Sequence, residues 1–334
     1  MRILLTGGAG YVGSACLRHL LAQGWDVYAF DNLSEGHTEA VPDERLIRGD
    51  ILDTAALTDA LRETRAEAVM HFAGATCVGE SVENPEHYYR TNIGGTGSVL
   101  AAMRSASVGR ILFSSTCATY GLSSTVPMTE DTPQNPCSPY ARTKLAVEWM
   151  IEDFSGAYGL GYTWLRYFNA AGASPDGAYG EDHDPENHLI PLILQVANGQ
   201  RGKLLVFGDD YGTPDGTCIR DYVHVDDLAE AHRLAIQATQ PGAGHVYNVG
   251  TGTGSSVMEV IRACEAVIGR KIPFEVTGRR PGDPPTLVAV PRKLIDELGW
   301  RPRYGKIREI VETAWRWHEA HAHGYRSEAP AAVR

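Results

Sequence analysis

Tyr140 and Lys144 stand four residues apart in Tyr140-Ala141-Arg142-Thr143-Lys144, a spacing that puts both side chains on one helix face. A phenol ionises near ~10 in water. A neighbouring ammonium, together with the positive ring of an oxidised nicotinamide, favours the phenolate and lowers that value. Such a pair can act as a general base near neutral pH. Alone, the spacing would describe a half-buried Tyr beside a surface Lys. Its context here is a run of hydroxyls, Ser114-Ser115-Thr116-Cys117-Ala118-Thr119, that follows the apolar segment Arg110–Phe113. Thr116 is the candidate for a hydrogen bond to a substrate oxygen beside Tyr140, and Ser114 is expected to face a cofactor.

The cofactor signal lies at the start of the chain. Arg2–Thr6 reads as a strand, Gly7-Gly8-Ala9-Gly10-Tyr11-Val12-Gly13 as a loop, and the following residues to about Gln23 as a helix. Asp26–Phe30 reads as a second strand ending on Asp31. Strand, glycine loop, helix, strand and acid is the order of a dinucleotide-binding unit. Gly7, Gly10 and Gly13 would serve a tight turn, approach of the backbone to a pyrophosphate, and close helix-on-strand packing. The helix start offers unpaired N–H groups to the phosphates. A carboxylate at Asp31 accepts hydrogen bonds from a ribose diol and repels a 2′-phosphate, so NAD is expected rather than NADP.

The elements that must position these groups alternate. Ala68–Ala73, Arg110–Ser114 and Tyr162–Tyr167 read as strands; 54–65, 86–107 and 140–158 read as helices. The expected fold is α/β: a Rossmann-type doubly wound parallel sheet followed by a smaller C-terminal α/β substrate-binding domain. The NAD domain is read as 1–167 with a returning segment near 219–237, the substrate domain as mainly 168–323, and 324–334 as a loose tail. Strand ends at Thr6, Asp31, Ala73, Ser114 and Tyr167 should converge on one crevice.

Composition narrows the class. The chain has 334 residues, 43% hydrophobic and 21% charged, as in ordinary globular enzymes. A net charge of −11 disfavours nucleic acid and anionic membranes as partners. No apolar run approaches the ~20 residues that span a bilayer. The six Cys form no CxxC pair, and no secretory leader pattern opens the sequence, so reduced thiols and a cytoplasmic location are expected. His183 and His188 share a loop with Asp182 and Asp184, but the spacing is poor for ligation, so no metal is expected.

Ordered motifs from Arg2 to about Trp317 carry a resemblance. They include TGGAGYVG (6–13), DNLSEGH (31–37), HFAG (71–74), YYRTNIGGT (88–96), SSTCATYG (114–121), SPYARTK (138–144), LRYFNAAGA (165–173), GEDH with HLIP (180–191), GTPDGTCIRDYVHVDDLA (212–229), YNVGTGTG (247–254) and RRPGD (279–283). The chain resembles the extended short-chain dehydrogenase/reductase family and, within it, the UDP-glucose 4-epimerases. The resemblance implies tightly bound NAD, a homodimer paired through the helices near 86–107 and 140–158, and inversion at C4 of a UDP-hexose. It implies NAD contacts at Gly7, Gly10, Tyr11, Val12, Gly13, Asp31, Asn32, Asp50, Ile51, Phe72, Ala73, Gly74, Asn92, Ser114, Tyr140, Lys144 and Tyr167. It implies UDP-sugar contacts at Thr116, Tyr140, Asn169, His188, Leu189, Leu205, Phe207, Arg220, Arg280 and Asp283, with Leu287 flanking the sugar's C2 substituent. Arg220 and Arg280 are residues that can neutralise a diphosphate by forked contacts. His188 stands where relatives have Asn, and Thr76 where many have Lys.

Competing chemistries are weaker. Related dehydratases place a carboxylate just after the strand-end hydroxyl, where this chain has Cys117 and Ala118. A reductase would favour NADPH, against Asp31. A noncatalytic NAD sensor would have no need for Tyr140, Lys144 and Thr116 together. UDP-N-acetylhexosamine, UDP-uronate and UDP-pentose remain open as alternative sugars.

Overall fold

The computed structural model describes residues 1–123, 125–280 and 282–325. Its first half follows the apolar pattern directly. Strand β1 (Arg2–Thr6) leads through the glycine loop into helix α1 (Tyr11–Ala22) and then β2 (Asp26–Asp31). Next come β3 (Leu46–Arg48), α2 (Thr54–Glu63) and β4 (Ala68–His71). Asp53 caps α2 by accepting the N–H groups of Ala55 and Ala56. Short helices α3 (Val78–Glu83) and α4 (Pro85–Tyr88) then run into a π-type segment, Tyr89–Gly94, and α5 (Gly95–Ser105). Strand β5 (Arg110–Thr116), α6 (Pro139–Tyr158) and β6 (Gly161–Tyr167) follow. Ser138 caps the start of α6, and left-handed Gly159 ends it.

The second half contains β7 (Asn169–Ala171), α7 (Leu189–Ala197), β8 (Leu204–Phe207), β9 (Ile219–His224) and α8 (Val225–Ala238). It continues with β10 (Gly244–Val249), β11 (Gly254–Ser256), α9 (Val257–Ile268) and β12 (Phe274–Thr277). It closes with β13 (Thr286–Leu287), α10 (Arg292–Leu298) and α11 (Ile307–Ala320).

Seven parallel strands form the main sheet in the order β10-β6-β5-β4-β1-β2-β3. Both faces are covered, which is why its central strands are apolar at consecutive positions rather than alternate ones. Ile3 and Leu5 enter one core with Leu17, Leu112, Leu165 and Leu228; Leu4 enters the other with Phe30, Ile111, Phe113 and Val147. The fold is the expected doubly wound α/β sheet. Helix α8 lies against α1, and β10 adds an edge strand beyond the expected set. A second lobe places β11, β9, β13 and β7 in a small sheet, pairs β8 with β12, and packs α7, α9 and α11 around Ile193, Leu194, Val206, Ile261 and Val311.

Two sequence expectations change in shape. The helix expected over 86–107 is interrupted by the π-type segment, which carries buried Asn92. Gly324 and Tyr325 dock on the second lobe: the Tyr325 N–H donates to Asp182 at 2.9 Å, and its ring lies 4.8 Å from that of His37. Residues 326–334 of the expected tail lie outside the described residues.

Candidate active site

The carboxyl ends of β1, β2, β4, β5 and β6 lie along one edge of the parallel sheet. At the first of these, Gly7 has φ +72°, and a Cβ on it would lie 2.5 Å from the Ala73 nitrogen. A Cβ on Gly13 would lie 2.1 Å from the Gly7 carbonyl oxygen. Loop and helix thus meet backbone to backbone, and Phe72-Ala73 is drawn against the glycine turn. No side chain caps α1 at Gly10, so the first-turn N–H groups of Tyr11, Val12 and Gly13 are left uncapped. The Tyr11 hydroxyl donates to the Gly172 carbonyl at 2.6 Å, tying the loop to the second lobe.

Asp31 is buried at the end of β2 and accepts the N–H groups of Ala9 at 2.9 Å and Leu33 at 2.8 Å. Burial pushes its pKa up, and those two N–H groups partly offset the shift. Asn32 donates to the Asp50 carboxylate at 3.1 Å, which places the two side by side beyond β2 and β3. Ile51 packs where Gly95 leaves room, since a Cβ there would lie 2.3 Å from Ile51 Cδ1.

Asn92 organises the next strand end. Its Oδ1 accepts the Ala75 N–H at 2.8 Å, and its Nδ2 donates to Ala75 O and to Thr143 Oγ1. It thereby braces the Gly74 turn against α6. Two residues not singled out from sequence join the site. His71 bridges Thr6 at 2.6 Å and Thr96 at 2.8 Å, and burial pushes its pKa down to about 3, so it is a neutral strut. Tyr88 is fully buried and meets the Tyr140 ring edge-on at 6.5 Å. Both lie within the quoted motifs, and that was their only sequence signal.

Tyr140 and Lys144 of α6 meet the end of β5. Thr116 Oγ1 accepts the Ala118 N–H at 3.1 Å, and its hydroxyl lies close enough to the Tyr140 phenol to favour its ionised form. Lys144 is buried, donates to Ser114 O at 2.9 Å and lies 6.0 Å from the Tyr140 ring centroid. Burial pushes Lys144 down to about 8. Burial also pushes Tyr140 up to about 12, opposed by the neighbouring Thr116 hydroxyl. The lowering expected from Lys144 is not among the influences on the phenol in the protein alone, where desolvation dominates. The Ser114 and Tyr167 hydroxyls are hydrogen-bonded to each other beside the pair.

The substrate-side residues line the second lobe. Arg220 pairs with Asp283 at 2.5 Å. The Arg280 guanidinium lies 4.0 Å over the Phe207 ring. One face of the ring expected to cover a base is therefore taken by a cation. Leu205 and Phe207 share the outward face of β8. A cleft of about 390 Å³ lies between Leu122, Tyr211, Arg279, Arg280, Asp283 and Pro285. Leu287 pairs in register with Arg220 and packs against the cluster holding Cys117, Tyr120 and Phe168. Asn169 begins β7, and His188 and Leu189 form the N-terminal turn of α7.

Glu181 and Glu186 also emerge from the fold rather than from the sequence. Their carboxylates lie against His183 and His188, with His188 Nδ1 2.9 Å from Glu181 and 3.3 Å from Glu186, while Asp182 pairs with His37. The bends of the loop bring residues at irregular spacing together. Burial opposes protonation of His188, but the adjacent carboxylates outweigh it and push the ring up to about 10.

Residues 3–250 match the model of the NAD dependent epimerase/dehydratase family. A UDP-glucose 4-epimerase of Halalkalibacterium halodurans is 49% identical over 329 residues, 98% of each chain. The crystal structure of UDP-glucose 4-epimerase from Brucella ovis in complex with NAD is 47% identical, covers 94% of this chain and 97% of that one, and superposes with a TM-score of 0.91. The UDP-glucose 4-epimerase from Bifidobacterium longum in complex with NAD+ and UDP is 36% identical over 97% of this chain and all of that one, with a TM-score of 0.92.

Proposed function

The chain belongs to the NAD-dependent epimerase/dehydratase family, and from that premise we propose that it inverts C4 of a UDP-hexose, with UDP-glucose and UDP-galactose as the leading pair. The observation that carries this is the gathering of Tyr140, Thr116 and Lys144 at the end of β5, at the same edge of the parallel sheet as the glycine loop that follows β1. UDP-glucose 4-epimerases at 45–49% identity over nearly the whole chain support the sugar.

The residues fit NAD. The uncapped start of α1 suits a pyrophosphate, and Asp31 and Asn32 suit an adenosine ribose diol. On this reading Ser114, Lys144 and Tyr167 would hold the nicotinamide ribose, and Phe72, Ala73, Gly74 and Asn92 would wall that side. When bound, NAD supplies a reversible hydride acceptor and the positive charge of its oxidised ring. That charge matters quantitatively. A phenol held at about 12 lies five units above pH 7, or about 7 kcal/mol. Lys144 and a cationic ring act together against that gap.

In the reading we favour, the C4 hydroxyl proton passes to Tyr140 while the C4–H bond gives up its hydride. Thr116 holds the C4 oxygen. The resulting 4-keto sugar swings about its diphosphate, and proton and hydride return to the opposite face. Arg220 and Arg280 anchor the diphosphate while the sugar turns. Asn169, His188, Leu189, Leu205 and Phe207 complete the nucleotide pocket. On this division, 1–167 serves NAD and 168–323 mainly the UDP-sugar. Helices α5 and α6 pair two copies, and six free thiols accord with a reducing cytoplasm.

The test is direct. Purified protein should carry NAD, and UDP-galactose without added oxidant should raise NADH absorbance while UDP-glucose accumulates. Absence of both signals would remove the proposal. Assay of a panel of UDP-sugars identifies the preferred one.

A further inference from the structure

Four metal-ligating side chains meet in the segment between β7 and α7. The carboxylates of Glu181 and Glu186 and the imidazoles of His183 and His188 each bring one donor atom within 4.8 Å of the others. His183 Nδ1 lies 3.5 Å from Glu181 and 3.7 Å from Glu186; His188 Nδ1 lies 2.9 and 3.3 Å from the same two. Tetrahedral Zn²⁺ with ligands at about 2.0–2.1 Å has ligand–ligand edges of about 3.3 Å. The four nitrogen–oxygen separations bracket that value, those from His183 and His188 to Glu186 ending on its two different oxygens.

The hydrogen bonding is the second, independent observation. Neither Nδ1 touches solvent, and neither makes a hydrogen bond. At 2.9 Å from Glu181, His188 is close enough for one, so the contact fails on direction rather than distance. A buried ring nitrogen without a partner is costly. Two of them beside two buried carboxylates make a donor set of two nitrogens and two oxygens. Glu186 Oε1 is itself fixed by the N–H groups of Asn187 and His188, both at 2.8 Å. This is the oriented outer shell that metal ligands use.

We propose that Glu181, His183, Glu186 and His188 bind one divalent transition ion of the Zn²⁺ class. Both imidazoles are neutral in that state, and the ion takes the place of their two protons, balancing the two carboxylates. The ion is structural. Four protein ligands leave no open position. It braces the 181–188 segment where the His183 ring stands edge-on to Tyr11 of the glycine loop, at 6.3 Å. It also fixes His188 at the start of α7.

The experiment uses untagged, full-length protein purified without chelator. Elemental analysis should find about one Zn²⁺ per chain, or metal-stripped protein should take up one equivalent with Kd below about 1 μM. Stripping should lower Tm by at least about 5 °C, and Zn²⁺ should restore it. Co²⁺ loading should give the visible absorption of a four-coordinate site, which reads the geometry without any variant. His183→Ala should lose the stoichiometric metal, and Glu181→Gln should bind it at least about tenfold more weakly. Stoichiometry well below one with no uptake, six-coordinate Co²⁺, or equal metal in both variants would overturn the site. None of these readouts depends on the sugar-nucleotide reading.

Discussion

At the scale of single residues, the site is built around a phenol that is a poor base by itself. Burial holds Tyr140 near 12, and Lys144, held near 8, is charged over most of the neutral range. Tyr140→Phe should therefore keep NAD and UDP while losing at least about a hundredfold in turnover; near-normal turnover would remove Tyr140 as the base. Lys144→Ala tests the electrostatics. With the ammonium gone, the phenolate is less favoured, so the rising limb of the pH–rate profile should move to higher pH. An unchanged profile would leave Lys144 no electrostatic role. Leu287 tests substrate width. It lies beside Arg220 and against the Cys117 cluster, adjacent to Thr116 in sequence. Leu lacks a ring and can change rotamer, so UDP-glucose and UDP-galactose should be the better pair, with measurable activity on UDP-N-acetylhexosamines. Leu287→Tyr should suppress N-acetyl activity far more than glucose activity, because the clash concerns one substrate only. Equal losses would show that Leu287 merely packs.

At the scale of elements, the glycine loop is the piece with least freedom. A Cβ at Gly13 meets backbone atoms of Gly7 and Gly8, not flexible side chains, so α1 itself must move off β1. Gly13→Ala should cost about 1–3 kcal/mol and yield protein largely free of NAD; full NAD occupancy after purification would contradict the packing argument. This unit was legible in the sequence because every link in it is local: an apolar strand, a glycine turn, a helix and an acid. The strands β4, β5 and β6 were legible for a related reason, since two buried faces demand continuous apolar runs. Strand β10 carries His245 and Tyr247 at a sheet edge, and its apolar run is too short to stand out. The π-type segment was hidden because Asn92 is placed by bonds to Ala75 and Thr143, which no helical period encodes. The Glu181 and Glu186 partners were hidden likewise, since loop bends and not periodicity bring them to His183 and His188.

At the scale of the whole molecule, one face remains unaccounted for in a single chain. Helix α6 buries Val147 toward the sheet, and α5 buries Ala102 and Met103, but Trp149 is 58% exposed on the outer side. Tyr89 and Val82, on the helical run that packs on α6, are exposed as well. Met150 and Gly97 mark where α5 and α6 touch, and the small residue keeps that surface flat. A large apolar side chain in such a setting is unusual for a monomer, whereas a two-fold axis through α5 and α6 would cover both copies with one self-complementary contact. Each chain holds its own Tyr140, Lys144 and glycine loop, so pairing would serve stability rather than complete the chemistry. Light scattering on the purified protein should therefore give a dimer at micromolar concentration. Trp149→Glu would remove a central apolar anchor twice per dimer, at about 2 kcal/mol each. The total of about 4 kcal/mol is roughly a thousandfold in Kd, enough to turn a nanomolar dimer into one that is largely dissociated below micromolar concentration while each chain retains NAD. A wild-type protein that is monomeric, or a variant that dimerises as tightly as wild type, would place the interface elsewhere or remove it.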